Sequence, residues 1–280
     1  MRRSAAATIA IHAGALLLAA VTLAPLVWLF IMSIMEPREL LAVPLKWLPE
    51  APDFSRYGRL LGFTGEIAGN PFLNALRNSL VAAGGASLLA LIVSTLAAYA
   101  FSRRGAPMVI LMLMLATFMM PPITYILPLY TMFSHLGMLN NPLTLVATYC
   151  TLLIPFASWV LKANFDVLPI EVEDAAAIDG AGTLLTLTRI VLPMARPALL
   201  AAGMLSFLVA WDEFFYALIF MSDLRGKTLP VAIADFAAGR VTDYGLIAAV
   251  GVLASLPPAI VALIFQKNLV SGLAGGSIKG

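Results

Sequence analysis

The chain has 280 residues, of which 61 % are hydrophobic and 11 % are charged, and its formal net charge is +2. An ordinary soluble domain is about half apolar and about a quarter charged, and a soluble protein of this size could not bury so much apolar surface. The composition therefore predicts a polytopic membrane protein, argues against most classes of enzyme and gives no case for a nucleic-acid partner. One cysteine, Cys150, and two distant histidines, His12 and His135, predict no disulfide and no metal site and give little support for histidine catalysis.

Six apolar segments are each long enough to cross a bilayer as a helix. They run from about Thr8 to Ile34, Ser79 to Phe101, Met108 to Leu129, Leu143 to Leu161, Ala198 to Phe220 and Leu246 to Phe265. The predicted fold class is all-α with six transmembrane helices. The first segment follows two arginines, as a signal peptide does, but it is too long for one and no obvious cleavage site follows it, so we expect a retained helix.

The basic residues nearest the ends of the segments set the predicted orientation. Arg2 and Arg3 precede the first segment, and Arg103 and Arg104 lie in the tight turn after the second. The positive-inside rule gives most weight to such residues, so both termini are expected in the cytoplasm. Residues 35–77 and 222–244 then form outer polar stretches, the first of them a solvated surface, and residues 162–197 form an inner loop.

The inner loop has the pattern of two short helices. Pro169 suits a helix start, and three acidic residues follow it in the first turns, where they complement the helix dipole. Three alanines then favour helix, and Gly180 supplies a C-terminal stop. A second stretch, Thr183 to Val191, ends at Leu192-Pro193. Small alanines and flanking acids suit docking into a groove of another protein, and a solvated helical hairpin is the alternative.

Two further sets of residues are candidates for a solute pathway. Asp212 and Glu213 lie in the fifth segment, where a charge costs at least ~2.5–3.5 kcal/mol at mid-bilayer and so usually faces a cavity or a partner. They could accept hydrogen bonds from sugar hydroxyls or gate the pathway, or they could form an interfacial acid pair. The neighbouring Phe214 and Tyr216 could stack on a sugar or belong to an aromatic belt at the membrane surface.

The third segment contains Pro121-Pro122, followed by Thr124 and Tyr125. Two prolines bend or break a helix and free backbone carbonyls. Broken helices line cavities in transporters, so Thr124 and Tyr125 are candidate contacts for a solute, with a simple packing kink as the alternative.

The run from Glu173 to Ala181, followed by Leu192-Pro193, resembles the EAA loop of bacterial ABC-importer permeases, with Asp174 where the family usually has Glu. Four other regions resemble the carbohydrate branch of these permeases. They are Ala98–Arg103, Leu127–Tyr130 with Leu136–Asn141, Trp211–Phe214 with Thr228–Val231, and the tail Gly272–Gly280. The resemblance is to the second, smaller permease subunit of the maltose-transporter type.

The resemblance implies a type I ABC-importer permease fold in a bacterial inner membrane. Residues 1–72 would hold the first transmembrane helix and an outer loop, and residues 73–280 a permease core with a coupling loop at about 166–197. The implied partners are a second permease subunit, two ATPase subunits that carry ATP and Mg²⁺, a substrate-binding protein, membrane lipid and a carbohydrate. The chain itself would bind no cofactor and catalyse no reaction.

The resemblance also implies which residues couple transport to ATP hydrolysis. Glu173 and Asp174 would meet basic groups of an ATPase, the alanines would allow close packing, and Gly180 would form the turn. The implied coupling residues are Glu173, Asp174, Ala175, Ala176, Ala177, Asp179 and Gly180, and the candidate pathway residues are Thr124, Tyr125, Asp212, Glu213, Phe214 and Tyr216. The alternatives are an importer of a polyol or glycerol phosphate and an ion-coupled secondary transporter.

Overall fold

A computed structural model describes residues 5–63, 70–237 and 243–274 of the chain. In those ranges every regular element is a helix. The helices are α1 (Ala5–Ser33), α2 (Pro37–Leu40), α3 (Ser55–Leu60), α4 (Pro71–Arg103), α5 (Met108–Phe118), α6 (Ile126–His135), α7 (Pro142–Phe165), α8 (Glu171–Ile178), α9 (Thr183–Met194), α10 (Arg196–Trp211), α11 (Phe215–Phe220), α12 (Leu229–Ala237) and α13 (Tyr244–Ala274). The all-α fold class predicted from the sequence is confirmed.

Four continuous helices are long and apolar enough to cross a membrane. They are the segments Thr8–Ser33, Pro71–Arg103, Pro142–Phe165 and Tyr244–Lys267, which correspond to the first, second, fourth and sixth predicted segments. The pair α9 and α10 could count as a fifth span, although it is bent by 81°. The third and fifth predicted segments are broken, so the prediction of six continuous helices is not reproduced in the described residues.

The third predicted segment breaks at its two prolines. Helix α5 ends at Phe118, a short 3₁₀ helix covers Pro122–Thr124, and α6 begins at Ile126. Because a proline has no N–H to donate and its ring clashes with the preceding turn, this pair favours an interruption of the helix. The predicted break is confirmed, and two helices, α5 and α6, take the place of one continuous helix from Met108 to Leu129.

The fifth predicted segment breaks at its two acidic residues. Helix α10 ends at Trp211, and a new short helix, α11, begins at Phe215. The backbone N–H groups of Tyr216 and Ala217 donate to the carboxylate of Glu213 at 2.9 and 3.3 Å. The carboxylate thus satisfies N–H groups that the start of a helix leaves without partners, and this stabilises the interruption.

The loop after α7 folds largely as its sequence predicts. Helix α8 carries three acidic residues in its first turn, and Gly180 follows it with a φ of +83°. The left-handed conformation is readily available only to glycine. Helix α9 continues to Met194, past the predicted end at Leu192-Pro193. It contains a π turn over Leu187–Val191, just before Pro193, which has no N–H to donate.

The chain forms two compact units. One contains residues 1–73 and 232–256, and the other contains residues 74–231 and 257–280. The functional division predicted at residues 72 and 73 stays a prediction. The second unit has a core of small, aliphatic and aromatic side chains, namely Ala98, Tyr99, Leu161, Phe165, Leu187, Val191, Ala195, Ala198 and Ala202. This core packs the ends of α4 and α7 against α9 and α10.

The first unit corrects part of the prediction that residues 35–77 form a solvated surface, because two of their charged residues are buried. The Arg56 side chain is only 2 % exposed. It donates to the carbonyl oxygens of Ser33 and Met35 at 3.2 and 2.7 Å and pairs with Asp243 at 3.3 Å. Glu39 is also buried, and its carboxylate accepts the backbone N–H groups of residues 36 and 50. The charges therefore have partners within the unit. Similarly, the polar stretch predicted at 222–244 contains helix α12.

Candidate functional site

Helix α8 presents one buried face and one exposed face. Ala176 is buried at 8 % exposure, while Asp174, Ala175 and Ala177 are exposed. Ile178, near the end of the helix, is 87 % exposed. Ile178 was not among the candidate residues predicted from the sequence. It lies four residues after Asp174 and therefore on the same side of the helix.

Glu173 has partners within the chain. Its carboxylate accepts a hydrogen bond from Arg103 Nε at 2.7 Å and another from the Tyr99 hydroxyl at 3.0 Å. The Arg103 and Glu173 side chains are only 9 and 10 % exposed. Arg103 Nη2 also donates to the carbonyl oxygen of Leu168 at 2.9 Å. The structure thus places Glu173 against α4, which differs from the expectation that it meets basic groups of another protein.

Arg104 makes a second link between α4 and the loop. Its guanidinium lies 5.9 Å from the centre of the Tyr99 ring, a distance typical of a cation–π contact, and it hydrogen-bonds the Thr183 hydroxyl. A polar cavity of about 370 Å³ lies beside these groups, and Asp174 lines it. Glu173 lines the same cavity, but its side chain is only 10 % exposed, whereas Asp174 is exposed.

Asp166 links the end of α7 to α4. Burial raises the pKa of this carboxyl, but hydrogen bonds from Lys162 at 2.5 Å and from Ser102 at 2.7 Å outweigh burial and hold the pKa below its ordinary value. The Asp166 side chain is 40 % exposed, so water screens its ion pair with Lys162.

The candidate pathway residues do not form one cluster. Tyr125 and Tyr216 are brought together, with their hydroxyl oxygens 2.6 Å apart and their ring centres 6.3 Å apart. This contact joins the break between α5 and α6 to the break between α10 and α11. Thr124 is exposed, and its hydroxyl donates to the Pro121 carbonyl at 2.7 Å.

The two acidic residues of the fifth predicted segment have different environments. Asp212 is exposed, whereas the Glu213 carboxylate is occupied by the N–H groups at the start of α11. The hydroxyl of Tyr149, a residue that the sequence analysis missed, is buried and has no hydrogen-bond partner among the described residues. Phe214 is 37 % exposed. Asp212 and Phe214 can therefore contact a solute or a partner, and Glu213 has a structural role.

An apolar cavity of about 710 Å³ lies between α7 and the broken third segment. Its lining includes Met114, Met120, Tyr125, Cys150 and Thr151. Tyr125 is the lining residue that also contacts α11. The cavity is thus bounded by the proline break that the sequence predicts.

Comparisons with known proteins agree with this architecture. Residues 89–275 match the family described as binding-protein-dependent transport system inner membrane component. The chain is 35 % identical, over its whole length and that of the relative, to the trehalose/maltose transport system permease protein MalG of Thermococcus litoralis. It is 34 % identical to the sulfoquinovosyl glycerol transport system permease protein SmoH of Agrobacterium fabrum, over 91 % of the chain and 88 % of the relative.

A solved structure shares the fold. It is a chain of a bacterial ABC transporter involved in the import of the acidic polysaccharide alginate, with a TM-score of 0.75 over 95 % of this chain and 99 % of that one, at 22 % identity. The resemblance to ABC-importer permeases predicted from the sequence is confirmed, as is the type I permease fold. The chain belongs to the family of inner membrane components of binding-protein-dependent transport systems.

Proposed function

We propose that this multi-pass membrane permease pairs with a second permease subunit and imports a sugar or glycoside that a binding protein delivers. The names of its relatives support this class of solute, since they include permeases for trehalose/maltose, trehalose and diacetylchitobiose. The alginate transporter of similar fold has also been solved with a sugar-bound periplasmic protein, which supports a binding protein as partner.

The observation that carries the proposal is the exposed face of α8. Asp174, Ala175, Ala177 and the 87 % exposed Ile178 share a short helix that projects between α7 and α9. We interpret this exposed face, with its acid, its small residues and its apolar side chain, as the surface that a partner protein covers. In this proposal, α8 lies in a cleft of an ATPase subunit, where Asp174 meets a basic group and Ile178 fills an apolar recess.

The proposed orientation places both termini and α8 on the cytoplasmic side, where ATP is available. ATP and Mg²⁺ bind to the two ATPase subunits. Closure of the ATPase pair moves the α8 helices of the two permeases, and this biases the membrane cavity between outward and inward openings. The permease chain itself changes conformation, and ATP hydrolysis takes place on its partners.

The proposed solute pathway includes Tyr125, Asp212 and Phe214. Aromatic rings can stack on the apolar face of a sugar ring, and an exposed carboxylate can accept hydrogen bonds from its hydroxyls. The carboxylate of Asp212 would repel a phosphate, so a neutral sugar or glycoside fits better than a glycerol phosphate. We expect Asp212→Asn to change the apparent KM for transport more than the yield of assembled complex.

Copurification followed by an activity measurement tests the proposal. The tagged chain is expressed with its genomic neighbours and purified in detergent, and ATP hydrolysis is measured with and without sugar-loaded binding protein. We expect an ATPase and a second permease to copurify and hydrolysis to rise on addition of the loaded binding protein. A stable homo-oligomer that moves solute without an ATPase would instead support an ion-coupled transporter and contradict the proposal.

Two matched glycine variants locate the coupling contact. Gly180 and Gly137 both have left-handed backbones, with φ of +83° and +64°, and no atom lies within 4 Å of a Cβ built on either. We expect Gly180→Trp to lose the ATPase in copurification while the permease still inserts, and Gly137→Trp to retain it. Normal transport by Gly180→Trp would overturn the assignment of α8.

A further inference from the structure

The last turn of α4 contacts the loop on both sides of α8 and within it. Before α8, Ser102 donates to Asp166 at 2.7 Å and Arg103 donates to the Leu168 carbonyl at 2.9 Å. Within α8, Glu173 accepts from Arg103. After α8, Arg104 bonds to Thr183. The end of α4 therefore contacts the loop before, within and after α8.

The contact between α8 and α4 depends mainly on charge. Helix α8 has eight residues, and Ala176 is its buried residue. One alanine methyl buries little apolar area, so packing contributes little to the position of the helix. By contrast, both oxygens of the Glu173 carboxylate have donors, one from Arg103 and one from Tyr99.

A largely buried ion pair of this kind forms a stiff link. Charge-assisted hydrogen bonds are short and directional, and separating a buried pair leaves two desolvated charges without partners, which is costly. Arg103 is further fixed by the Leu168 carbonyl. When α8 moves, the Arg103–Glu173 pair stays intact if the end of α4 moves with it.

We propose that Glu173 is a positioning residue that transmits the displacement of α8 to α4 through Arg103 and Tyr99. The inference rests on the proposed function, and it gives the two neighbouring acids separate roles. Asp174 faces the ATPase, and Glu173 faces its own chain. Helix α4 then becomes the first membrane-spanning element to respond to ATP.

The test uses the complete importer in liposomes, and the readout is the amount of sugar moved per ATP hydrolysed. For Glu173→Gln we expect normal copurification of the ATPase and about a tenfold fall in this ratio, within the range typical of coupling between sites. Tyr99→Phe removes one of the two hydrogen bonds and should lower the ratio less. It keeps the proposal testable if Glu173→Gln does not fold.

Glu171→Gln is the matched control. Glu171 lies in the same first turn of α8 and is exposed, so its variant removes the same charge from the same helix end without touching the link to α4. We expect its ratio of sugar to ATP to equal that of the wild type. Loss of the ATPase from the Glu173→Gln complex would show that Glu173 is a docking contact and would overturn the proposal.

A reversible covalent link provides a rescue. In a Cys150→Ala background, which removes the natural thiol, Arg103→Cys and Glu173→Cys are combined and joined by a bifunctional methanethiosulfonate. Each thiol displaces one sulfinate from the reagent and forms a disulfide, and added dithiothreitol breaks both disulfides. We expect joining to raise the ratio of sugar to ATP and reduction to lower it again.

The single-cysteine variants, treated in the same way, should show no recovery. A ratio that stays low after joining would overturn the transmission role. The outcomes also separate this inference from the proposed function. If the wild-type complex contains no ATPase, the proposed function fails, whereas a coupled wild type with an equally coupled Glu173→Gln variant contradicts only the role of Glu173.

Discussion

Two buried arginines, Arg56 and Arg103, use the same chemistry for different purposes. Arg56 makes its shortest bond, 2.7 Å, to the backbone carbonyl of Met35, and its ion pair with Asp243 is longer, at 3.3 Å. Arg103 makes its shortest bond, also 2.7 Å, to the carboxylate of Glu173. Arg56 mainly donates to backbone carbonyl oxygens at and just after the end of α1. Arg103 instead bonds mainly to the side chain of Glu173.

The difference shows how burial of a charge relates to function. Carbonyl groups just past the end of a helix need donors in any folded state, so the Arg56 contacts stabilise the architecture. The Arg103 contact depends on the Glu173 carboxylate, which belongs to a short helix with little apolar packing. The contact can therefore change when that helix moves. Variants near each arginine test whether Arg56 stabilises the architecture and whether Arg103 depends on its carboxylate.

The most severe variant is expected to be Gly245→Ala. A Cβ at this position would lie 2.3 Å from the Cζ atom of Arg56, so the guanidinium must leave the carbonyls of Ser33 and Met35. Each buried group left without a partner costs about 1–3 kcal/mol, so we expect a loss of about 3 kcal/mol or more. Thermal unfolding of the purified chain in detergent measures it.

Gly84→Ala is the control for that experiment, because no atom lies within 4 Å of a Cβ built there. We expect the control to unfold at or slightly above the wild-type temperature, because alanine favours a helix interior over glycine. A Gly245→Ala chain as stable as the wild type would mean that the Arg56 contacts do not stabilise the architecture.

A pair of charge-neutralising variants is next in size. Glu173→Gln leaves the Arg103 side chain, which is 9 % exposed, without a counter-charge, and loss of one partner of a buried pair costs about 3 kcal/mol. Asp243→Asn leaves Arg56 its two carbonyls and keeps an oxygen that can accept the Leu246 N–H, so we expect about 1 kcal/mol.

The unfolding free energies of these two variants should be compared with that of Glu50→Gln. Glu50 belongs to an exposed pair with Lys46, and we expect its variant to unfold like the wild type because water screens exposed ion pairs. If Asp243→Asn costs as much as Glu173→Gln, the two arginines do not differ in the way described.

Gly180→Ala should have a moderate effect, because it strains the turn that closes α8. Its φ of +83° disfavours any residue with a Cβ by about 1–2 kcal/mol. Gly182→Ala is the matched control, since Gly182 has a φ of −75° and open space around its Cβ position. We expect the two unfolding temperatures to differ, and equal values would contradict the importance of the turn.

The smallest effect is expected for Lys162→Gln. The variant removes the partly exposed ion pair with Asp166, which is worth at most about 0.5 kcal/mol. Because the folded pKa of Asp166 is lowered below its ordinary value of 3.8, its stabilising contribution is present above about pH 4 and is lost as the pH falls through the folded pKa.

Unfolding measured between pH 7 and pH 3 checks this sign. The small difference between the wild type and Lys162→Gln should disappear at the acidic end. A difference that grows on acidification would contradict the assignment of the shift to Asp166.

Several features of the fold could be predicted because their causes are local. Four of the predicted spans follow from long apolar runs, and the break at Pro121 and Pro122 follows from missing N–H groups. The end of α8 follows from a glycine at the position that needs a left-handed residue. Each of these depends on residues that are neighbours along the chain.

Features that depend on distant residues could not be predicted. The apolar residues of the fifth segment predict a continuous helix. Nothing in their local pattern indicates that the Glu213 carboxylate accepts the N–H groups of Tyr216 and Ala217 and so ends the helix. Likewise, the charged residues from 35 to 77 look like a surface until Asp243, far along the chain, is placed beside Arg56.

Local features of the sequence identify a helical membrane permease and the loop that we propose for an ATPase, because apolar length, proline, glycine and a run of motifs act over a few residues. Only the tertiary structure decided which acid of that loop faces outward. Glu173 and Asp174 are adjacent and chemically alike, and they differ because the fold brings Arg103 and Tyr99, some seventy residues earlier in the chain, against one of them.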